Sequence, residues 1–175
     1  HMSGPITFVE ADKEPDRESI MELCREWLDT EYGRMKGEYW YSDIEPRVIV
    51  EEYLKDENHE IPPDFKFFVF HGRVEYIQVD HDRFTDHRKR FYDREWVPQE
   101  FTLDDPLGPA IDEPDQLDRM ISIAESLAAE FDFVRVDLYE IDGEQVKFGE
   151  LTLAPLTGWG RFDPREYDFK FGSLW

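Results

Sequence analysis

The sequence predicts an α+β fold, with a largely antiparallel sheet and helices packed on one face of it. Three observations predict this class. Asp142-Gly143 joins two runs rich in β-branched and aromatic residues, which is a strong short-range signal for a β-hairpin. Residues 117–131 space apolar side chains as an amphipathic helix does. Apolar residues are 40% of the 175-residue chain, and aromatic residues are 15%, enough for a packed core.

The first half of the chain contains local signals for one helix and several strands. The apolar positions between Ile20 and Leu28 predict a helix that Asp16 or Ser19 caps and that Gly33 ends. A turn at His71-Gly72 predicts a second hairpin. The predicted strands in this half are residues 6–10, 47–54, 65–70, 74–79 and 90–96.

The second half is predicted to supply one long helix and the central hairpin. Residues 102–114 are rich in proline and acid and predict a connecting loop. Asp115 or a neighbour should cap the helix that follows. We expect this helix to cover one face of the hairpin, the face that carries Val134, Val136, Leu151 and Leu153. After Pro155 the pattern indicates little regular structure.

The two strands around Asp142-Gly143 should gather charged side chains on their other face. A two-residue loop would place Arg135 opposite Glu150 and Asp137 opposite Phe148. Alternation along each strand then selects the members of this face. They are Arg135, Asp137, Tyr139, Phe148, Glu150 and Thr152.

This charged face has two interpretations. Two carboxylates and a hydroxyl suit a hard cation such as Mg²⁺, which takes oxygen ligands and keeps water and substrate phosphates in its remaining positions. An antiparallel hairpin with one solvent-exposed face carries charges for that reason alone. Lys66 poses a similar choice, because it shares strand parity with Asp64. It is either part of a site or a lysine in a surface ion pair.

The charge of the chain excludes several classes of partner. Acidic residues outnumber basic ones by 42 to 20, giving a formal net charge of −22. This argues against nucleic acid, because phosphate binding needs positive faces, and equally against anionic membrane surfaces. Solubility, a salt-rich habitat and cation-dependent chemistry would each explain the excess of acid.

Other features indicate a cytoplasmic setting. Cys24 is the only cysteine, so the chain has no intrachain disulfide framework. No apolar run approaches the 18 residues expected of a membrane span. The N-terminus lacks a signal-peptide pattern, and His1-Met2 is interpreted as a cloning remnant. The remaining histidine-rich stretch, with His81 and His87 among acids, matches no zinc pattern and is expected to be exposed.

Four segments in order resemble the TupA-like family of the ATP-grasp superfamily, which is linked to cell-surface polysaccharide and teichuronic acid synthesis. They are IVEEYL, DFKFFVFHG, FVRVDLYE and FGELTLAP, with Arg83 following the second. Any one segment alone would be a weak signal, whereas their order is specific. The resemblance extends from about Phe8 to the C-terminus, and it implies an ATP-grasp-like antiparallel sheet.

The resemblance also implies a site for ATP and Mg²⁺. Residues implied to bind the nucleotide are Glu51, Glu52, Tyr53, Leu54, Asp64 and Lys66, the first four lining the adenine pocket. The implied catalytic residues are Arg83, near the phosphates, and Arg135, which would stabilise transferred phosphoryl charge. The implied metal ligands are Asp137, Glu150 and Thr152, the last standing where many relatives have asparagine.

The activity implied is that of an ATP-dependent carboxylate–amine ligase, or a similar ligase, that forms an acyl phosphate during cell-surface polysaccharide synthesis. Its partners would be a nucleotide and a small-molecule or glycan-precursor substrate. Two alternatives remain open: a non-catalytic nucleotide-binding or scaffold fragment, and a small-molecule kinase on the same fold.

ATP-grasp proteins carry, before this region, a further lobe with a phosphate-binding lysine and a glycine-rich loop. This chain begins HMSGPITFVEADK, and Ser3-Gly4 would be only the end of such a loop. We therefore expect residues 1–175 to be a single, partial ATP-grasp domain without that lobe. The apolar surface left exposed would favour a homodimer.

Overall fold

A computed structural model describes residues 6–9, 16–30, 37–54, 62–81 and 86–175. The chain divides into two compact units, His1–Glu52 and Tyr53–Trp175. The second unit contains the five-stranded sheet and both clusters of buried apolar side chains. None of the helices in the described ranges has the length and apolarity needed to cross a membrane.

The first unit contains helix α1 (Arg17–Asp29) and a 3₁₀ turn (Tyr39–Asp43). Asp16 caps α1, as predicted: its carboxylate accepts hydrogen bonds from the backbone N–H of Ser19 (3.1 Å) and from the Ser19 hydroxyl (2.7 Å). The bond to the backbone satisfies one of the N–H groups that a helix leaves unpaired at its start. The helix ends at Asp29, and Gly33, its predicted end, lies outside the described residues.

Two strands predicted in the first part of the chain are absent. Residues 6–9 and 44–54 are described, and they form no strand. Ile49 and Val50 are 79% and 92% exposed, so this β-branched run is not buried between neighbours either. High β-propensity becomes a strand only where an adjacent strand supplies hydrogen bonds and packing. Cys24, expected in a core, is half-buried on α1.

The second unit is built on an antiparallel sheet in the order β3-β2-β1-β5-β6. The hairpin predicted at His71-Gly72 forms its centre, and both turn residues have positive φ, at 48° and 75°. All seven residues of the central strand β1 are buried. The strands are β1 (Asp64–Phe70), β2 (Arg73–His81), β3 (Arg88–Asp93), β4 (Thr102–Leu103), β5 (Phe133–Ile141), β6 (Gln145–Thr152) and β7 (Phe162–Asp163).

Strand β3 begins and ends earlier than the predicted 90–96. The Asp93 carboxylate accepts the N–H groups of Glu95 (3.1 Å) and Val97 (2.8 Å), and this turns the chain out of the sheet. Trp96, at φ 59°, then stacks on Tyr92 with ring centroids 4.0 Å apart. An aspartate that binds its own following backbone is a frequent cause of such a turn.

Helix α2 (Leu117–Leu127) packs on one face of the sheet and covers Val134 and Val136 as predicted, but Leu151 and Leu153, predicted to lie under it, are 39% and 59% exposed. Its N-cap residue is Gln116 rather than Asp115, and the Gln116 N–H donates to Glu140 Oε1 (2.6 Å). In the core between this helix and the sheet, β1, β5 and α2 each contribute a row of apolar side chains. These are Phe65, Phe67 and Val69; Val134, Val136 and Leu138; and Leu117, Met120, Ile121 and Ala124. Burial of each large side chain stabilises the fold by about 1.5–3 kcal/mol.

The opposite face of the sheet is aromatic at one end and charged at the other. Phe68 and Phe70 of β1 pack there with Phe171 of helix α3 (Glu166–Ser173), so α3 lies on the face opposite α2 and the prediction of helices on a single face holds only for α2. The Phe68 and Phe171 rings meet edge-on, with centroids 5.7 Å apart, an arrangement that aromatic quadrupoles favour. By strand alternation, Asp64 and Lys66 lie on this same face of β1. They form part of its charged end.

The C-terminal region is more regular than the sequence indicated. Strands β4 and β7 pair within the predicted loop and the predicted irregular segment, and α3 follows them. Two-residue strands are too short to show any periodicity, which explains why the pattern missed them. The α+β class is nevertheless confirmed: three helices accompany a five-stranded antiparallel sheet and a two-stranded sheet within the described residues.

Candidate functional site

The hairpin of β5 and β6 brings the predicted charged residues together, although not in the predicted pairs. Asp142 and Gly143 have positive φ (52° and 67°), and Glu144 N–H donates to Ile141 O (3.0 Å). The strands then pair Asp137 with Glu150 and Arg135 with Thr152. The predicted pairs of Arg135 with Glu150 and Asp137 with Phe148 are therefore wrong.

The difference in register has a structural cause. Ile141 pairs with Gln145 instead of Glu144, and a second one-residue shift lies between Asp137 and Leu138. Two shifts of one residue restore the original parity, because side chains alternate with period two. Arg135, Asp137, Glu150 and Thr152 therefore share a face as predicted.

Gly149 is the residue of β6 that makes the second shift feasible. A Cβ atom at this position would lie 3.0 Å from Asp137 O and 3.0 Å from Tyr139 Cε2, closer than ordinary van der Waals contact. Such an irregularity is a β-bulge, and bulges redirect the side chains beyond them. The bulge returns Glu150 and Thr152 to the face of Asp137. Phe148, before the bulge, keeps the register of the turn, pairs with Leu138 and lines an apolar cleft against α2, so the prediction that Phe148 joins the charged face is wrong.

Lys66 lies at the centre of the charged face. Its β1 position pairs with Asp137 on β5 and with Gln78 on β2. The ammonium group donates to Asp64 Oδ2 and to Asp137 Oδ2 (2.9 Å), and it lies 3.9 Å from Asp80 Oδ2. Only 5% of the residue is exposed. The alternative of a lysine in a surface ion pair is excluded by this burial.

Arg135 is the second cation that binds Asp137, and it also reaches Glu150. Its Nε donates to Asp137 Oδ1 (2.7 Å), and its Nη2 donates to Asp137 Oδ2 (2.7 Å). Nη2 also lies within hydrogen-bond distance of Glu150 Oε1 (3.1 Å) and of Thr152 Oγ1 (2.9 Å). A guanidinium group that grips one carboxylate with two N–H groups is rigidly oriented.

Burial and close carboxylates shift the pKa values of this region. Burial, and then the Asp137 carboxylate, raise the pKa of Glu150 against the opposing effect of Arg135. Burial also raises the pKa of Asp64, and Lys66 opposes that rise. Burial alone would lower the pKa of Arg135, but Asp137 raises it above its ordinary value. Burial therefore disfavours the ionised carboxylates of Asp64 and Glu150.

Three further residues extend this charged face, and the sequence did not indicate them. Gln78 Nε2 donates to Asp80 Oδ1 (2.5 Å), and Asp80 Oδ2 lies 3.7 Å from His87 Nε2. His87, expected to be exposed, is only partly exposed and has Asp105 on its other ring nitrogen (3.5 Å). Parity with Lys66 through the β1–β2 pairing could have revealed Asp80. We call this set the charged cluster: Asp64, Lys66, Gln78, Asp80, His87, Arg135, Asp137, Glu150 and Thr152.

For five of the predicted site residues, the structure describes no contact with the charged cluster. Glu51 and Glu52 belong to the first unit, and Tyr53 and Leu54 begin the second. All four lie outside regular secondary structure. Arg83 falls outside the described residues. The roles of these five residues in nucleotide binding and catalysis stay predictions.

The donor set suits a metal ion with few protein ligands. In the described part of the chain, no group of three or more His, Cys, Asp or Glu side chains is arranged to hold a metal. Asp137 and Glu150 do lie directly across from each other, and burial and then the Asp137 carboxylate raise the pKa of Glu150. Mg²⁺ commonly takes one or two carboxylates and completes its shell with water and phosphate oxygens. The residues present therefore fit Mg²⁺ held jointly with a phosphate.

Comparisons with known proteins identify the family. The family model described as "TupA-like ATPgrasp" matches residues 1–175. A search of the curated proteins and a search of the solved structures each found no match.

Proposed function

Because the chain belongs to the TupA-like ATP-grasp family, we propose that its charged cluster binds Mg²⁺ and ATP to drive a ligase reaction. The observation that supports this most directly is the convergence of Lys66 and Arg135 on Asp137, with Glu150 directly across the strand pair. Cations and carboxylates in this proportion suit a metal-bridged polyphosphate, whose oxygens need both metal and N–H donors.

Asp137 and Glu150 would hold Mg²⁺, with the Thr152 hydroxyl beside them. The bound ion would neutralise phosphate charge as a phosphoryl group is transferred. Lys66 would bind phosphate oxygens while Asp64 keeps its ammonium group in place. Arg135 would stabilise the charge on the transferred group, since its guanidinium already lies over Asp137 and Glu150.

Residues beyond the charged cluster complete the proposed site. The main chain of Glu51, Glu52, Tyr53 and Leu54 would contact the adenine, and Arg83 would contact the phosphates. These assignments are supported by family membership and by the order of the segments along the chain.

The reaction we propose activates a carboxylate as an acyl phosphate. The carboxylate oxygen attacks the γ-phosphorus of ATP and releases ADP; an amine or similar nucleophile then attacks the acyl carbon and releases phosphate. The substrate would be a precursor of a cell-surface polysaccharide, and the reaction would take place in the cytoplasm. A homodimer remains part of this proposal.

Binding and turnover are tested separately. In a thermal-shift assay of the 175-residue chain, ATP with Mg²⁺ should raise the melting temperature more than ATP with EDTA. Asp137→Asn and Glu150→Gln should each abolish the Mg²⁺-dependent part of this shift. Asp168→Asn, which changes an acid on α3, is the matched control and should respond like the parent. If both cluster variants respond like the parent, the proposed metal site is wrong.

Product analysis distinguishes the ligase from its alternatives. Hydroxylamine traps an acyl phosphate as a hydroxamate, so a ligase should give ADP, phosphate and hydroxamate in a carboxylate-dependent reaction. A small-molecule kinase should instead give ADP and a stable phosphorylated acceptor without hydroxamate. A nucleotide-binding or scaffold module should show the Mg²⁺-dependent shift with no ADP formation.

A further inference from the structure

Both carboxylate oxygens of Asp137 are already occupied by cations of the chain. Oδ1 accepts from Arg135 Nε (2.7 Å), and Oδ2 accepts from Arg135 Nη2 (2.7 Å) and Lys66 Nζ (2.9 Å). Asp137 is only 2% exposed, so these bonds are made in a poorly hydrated environment where charge interactions are strong. Oδ2 accepts two hydrogen bonds and has no acceptor position left for a metal ion until a cation moves, whereas Oδ1 keeps one position beside Arg135 Nε.

Both cations have other partners in the charged cluster. The Lys66 ammonium also contacts Asp64 and lies 3.9 Å from Asp80 Oδ2, and Asp80 itself is held by Gln78. Arg135 Nη2 also reaches Glu150 and Thr152. Each cation could therefore release Asp137 while it keeps a bond within the charged cluster. A side-chain movement of this kind needs no change in the backbone of β1 or β5.

We propose that Lys66 and Arg135 bind the Asp137 carboxylate in place of the divalent cation. They are displaced from it when the cation and a phosphate group enter together. The inference rests on the proposed function and adds the order of assembly to it. A divalent ion that enters alone meets two close positive charges and binds weakly. A phosphate chain draws the ammonium and guanidinium groups toward its own oxygens and thereby frees Asp137.

The proposal predicts an unusual effect of removing a phosphate-binding residue. Lys66→Gln should weaken ATP binding but strengthen the binding of Mn²⁺ alone, measured by electron paramagnetic resonance of the free ion. We expect the Kd for Mn²⁺ without nucleotide to fall by about tenfold, because one competing charge leaves Asp137. Arg135→Gln removes the other competitor and should act in the same direction.

Two variants separate occupancy of Asp137 from the general loss of positive charge. Lys66→Gln combined with Asp64→Asn leaves the net charge of the cluster unchanged but still releases Asp137, so it should retain a tighter Kd than the parent. Lys89→Gln removes a buried lysine of β3 whose ammonium group pairs with Asp105. Lys89 is three strands from Asp137, roughly 14 Å at the usual strand spacing, whereas Lys66 Nζ lies 2.9 Å from Asp137 Oδ2, so the Coulomb interaction of Lys89 with Asp137 is several-fold weaker.

The outcomes are decisive for variants that keep the far-UV circular dichroism of the parent. A lower Kd for Mn²⁺ in Lys66→Gln and in the double variant, with Lys89→Gln within about twofold of the parent, supports displacement at Asp137; a lower Kd in Lys66→Gln that the double variant does not share overturns it. An unchanged Kd in the folded Lys66 and Arg135 variants overturns it, and so does an equal decrease in Lys89→Gln. Failure of the parent to bind Mg²⁺ and ATP would instead refute the proposed function, because the Mn²⁺ measurements need no nucleotide.

Discussion

At the scale of single residues, Asp137 is the side chain on which the charged cluster depends. It is buried, and it accepts hydrogen bonds from Lys66 and from two nitrogens of Arg135. Glu150, its partner across the strands, is more exposed and accepts a hydrogen bond from Arg135 Nη2, at 3.1 Å. The two carboxylates proposed to share one metal ion therefore differ in what they contribute to stability.

Asp137→Asn should destabilise the folded chain strongly. The amide has nearly the shape of the carboxylate but no charge, so two buried cations lose their shared counter-ion. Removal of one partner from a buried ion pair typically costs about 3–5 kcal/mol. Urea unfolding followed by circular dichroism measures the change, with Asp168→Asn as the control expected within about 0.5 kcal/mol of the parent. A loss below about 1 kcal/mol for Asp137→Asn would contradict the assigned role.

Glu150→Gln should have the opposite effect near neutral pH. The pKa of Glu150 is raised by burial and then by Asp137. A carboxyl group with a raised folded-state pKa binds its proton more tightly when folded, so its stabilising contribution is present at low pH and is lost as pH rises through that pKa.

Without metal, Glu150→Gln should therefore exceed the parent in free energy of unfolding at pH 7, by at most about 1 kcal/mol because the side chain is partly solvent-screened. Near pH 4, where the parent's carboxyl is largely protonated, the difference should shrink. Paired urea titrations at the two pH values measure it. A variant less stable than the parent at pH 7 would show that the bond to Arg135 outweighs the repulsion from Asp137.

At the scale of secondary structure, the bulge in β6 decides which side chains meet. Strand alternation correctly predicts that Arg135, Asp137, Glu150 and Thr152 share a face. The same alternation wrongly assigns Phe148, because the shift at the turn places Phe148 opposite Leu138, and the bulge at Gly149 returns only Glu150 and Thr152 to the charged face. A bulge depends on contact between the backbone atoms of two strands, so the residue pattern of one strand does not predict its position. The absent strand at residues 47–54 has a similar cause, since pairing is a property of two segments.

Gly149→Ala should test the bulge directly. The new Cβ would be 3.0 Å from Asp137 O and from Tyr139 Cε2, so the backbone of β6 must shift and move Glu150 away from Asp137. We expect a loss of about 1–3 kcal/mol in free energy of unfolding, together with a smaller Mg²⁺-dependent thermal shift in ATP.

Gly172→Ala in α3 is the matched control, because its added Cβ meets no atom within 4 Å. It should leave stability unchanged or raise it by up to about 1 kcal/mol, since alanine favours helix more than glycine does. Equal tolerance of both substitutions would mean that the bulge does not require glycine.

At the scale of the whole molecule, the net charge of −22 is the dominant feature. Four carboxylates are concentrated in the charged cluster, at Asp64, Asp80, Asp137 and Glu150, and the remaining acids are distributed over the chain. Repulsion of this kind disfavours the compact state and is screened by salt. The stability of the fold should thus depend on ionic strength far more than that of a neutral protein.

Raising NaCl from about 0.05 M to 0.5 M should increase the free energy of unfolding by on the order of 1 kcal/mol. Urea is the appropriate denaturant, because it is uncharged and leaves ionic strength to the added salt. The change in urea midpoint at constant slope is the quantity to measure. A midpoint that stays constant or falls with salt would show that surface repulsion is already compensated by local ion pairs.

The sequence by itself determined the α+β class, the two hairpins and helix α2, whereas Arg135, Asp137, Glu150 and Thr152 share the predicted face because the shift at the turn and the bulge at Gly149 cancel. The class, the hairpins and the helix follow from local periodicity and turn chemistry, which act over a few neighbouring residues. Only the tertiary structure decided that Lys66 lies buried between Asp64 and Asp137, that Glu150 faces Asp137, and that Asp80 and His87 join them. Such contacts depend on strand register and packing between distant segments, and no local pattern encodes the free energy that selects one register over another.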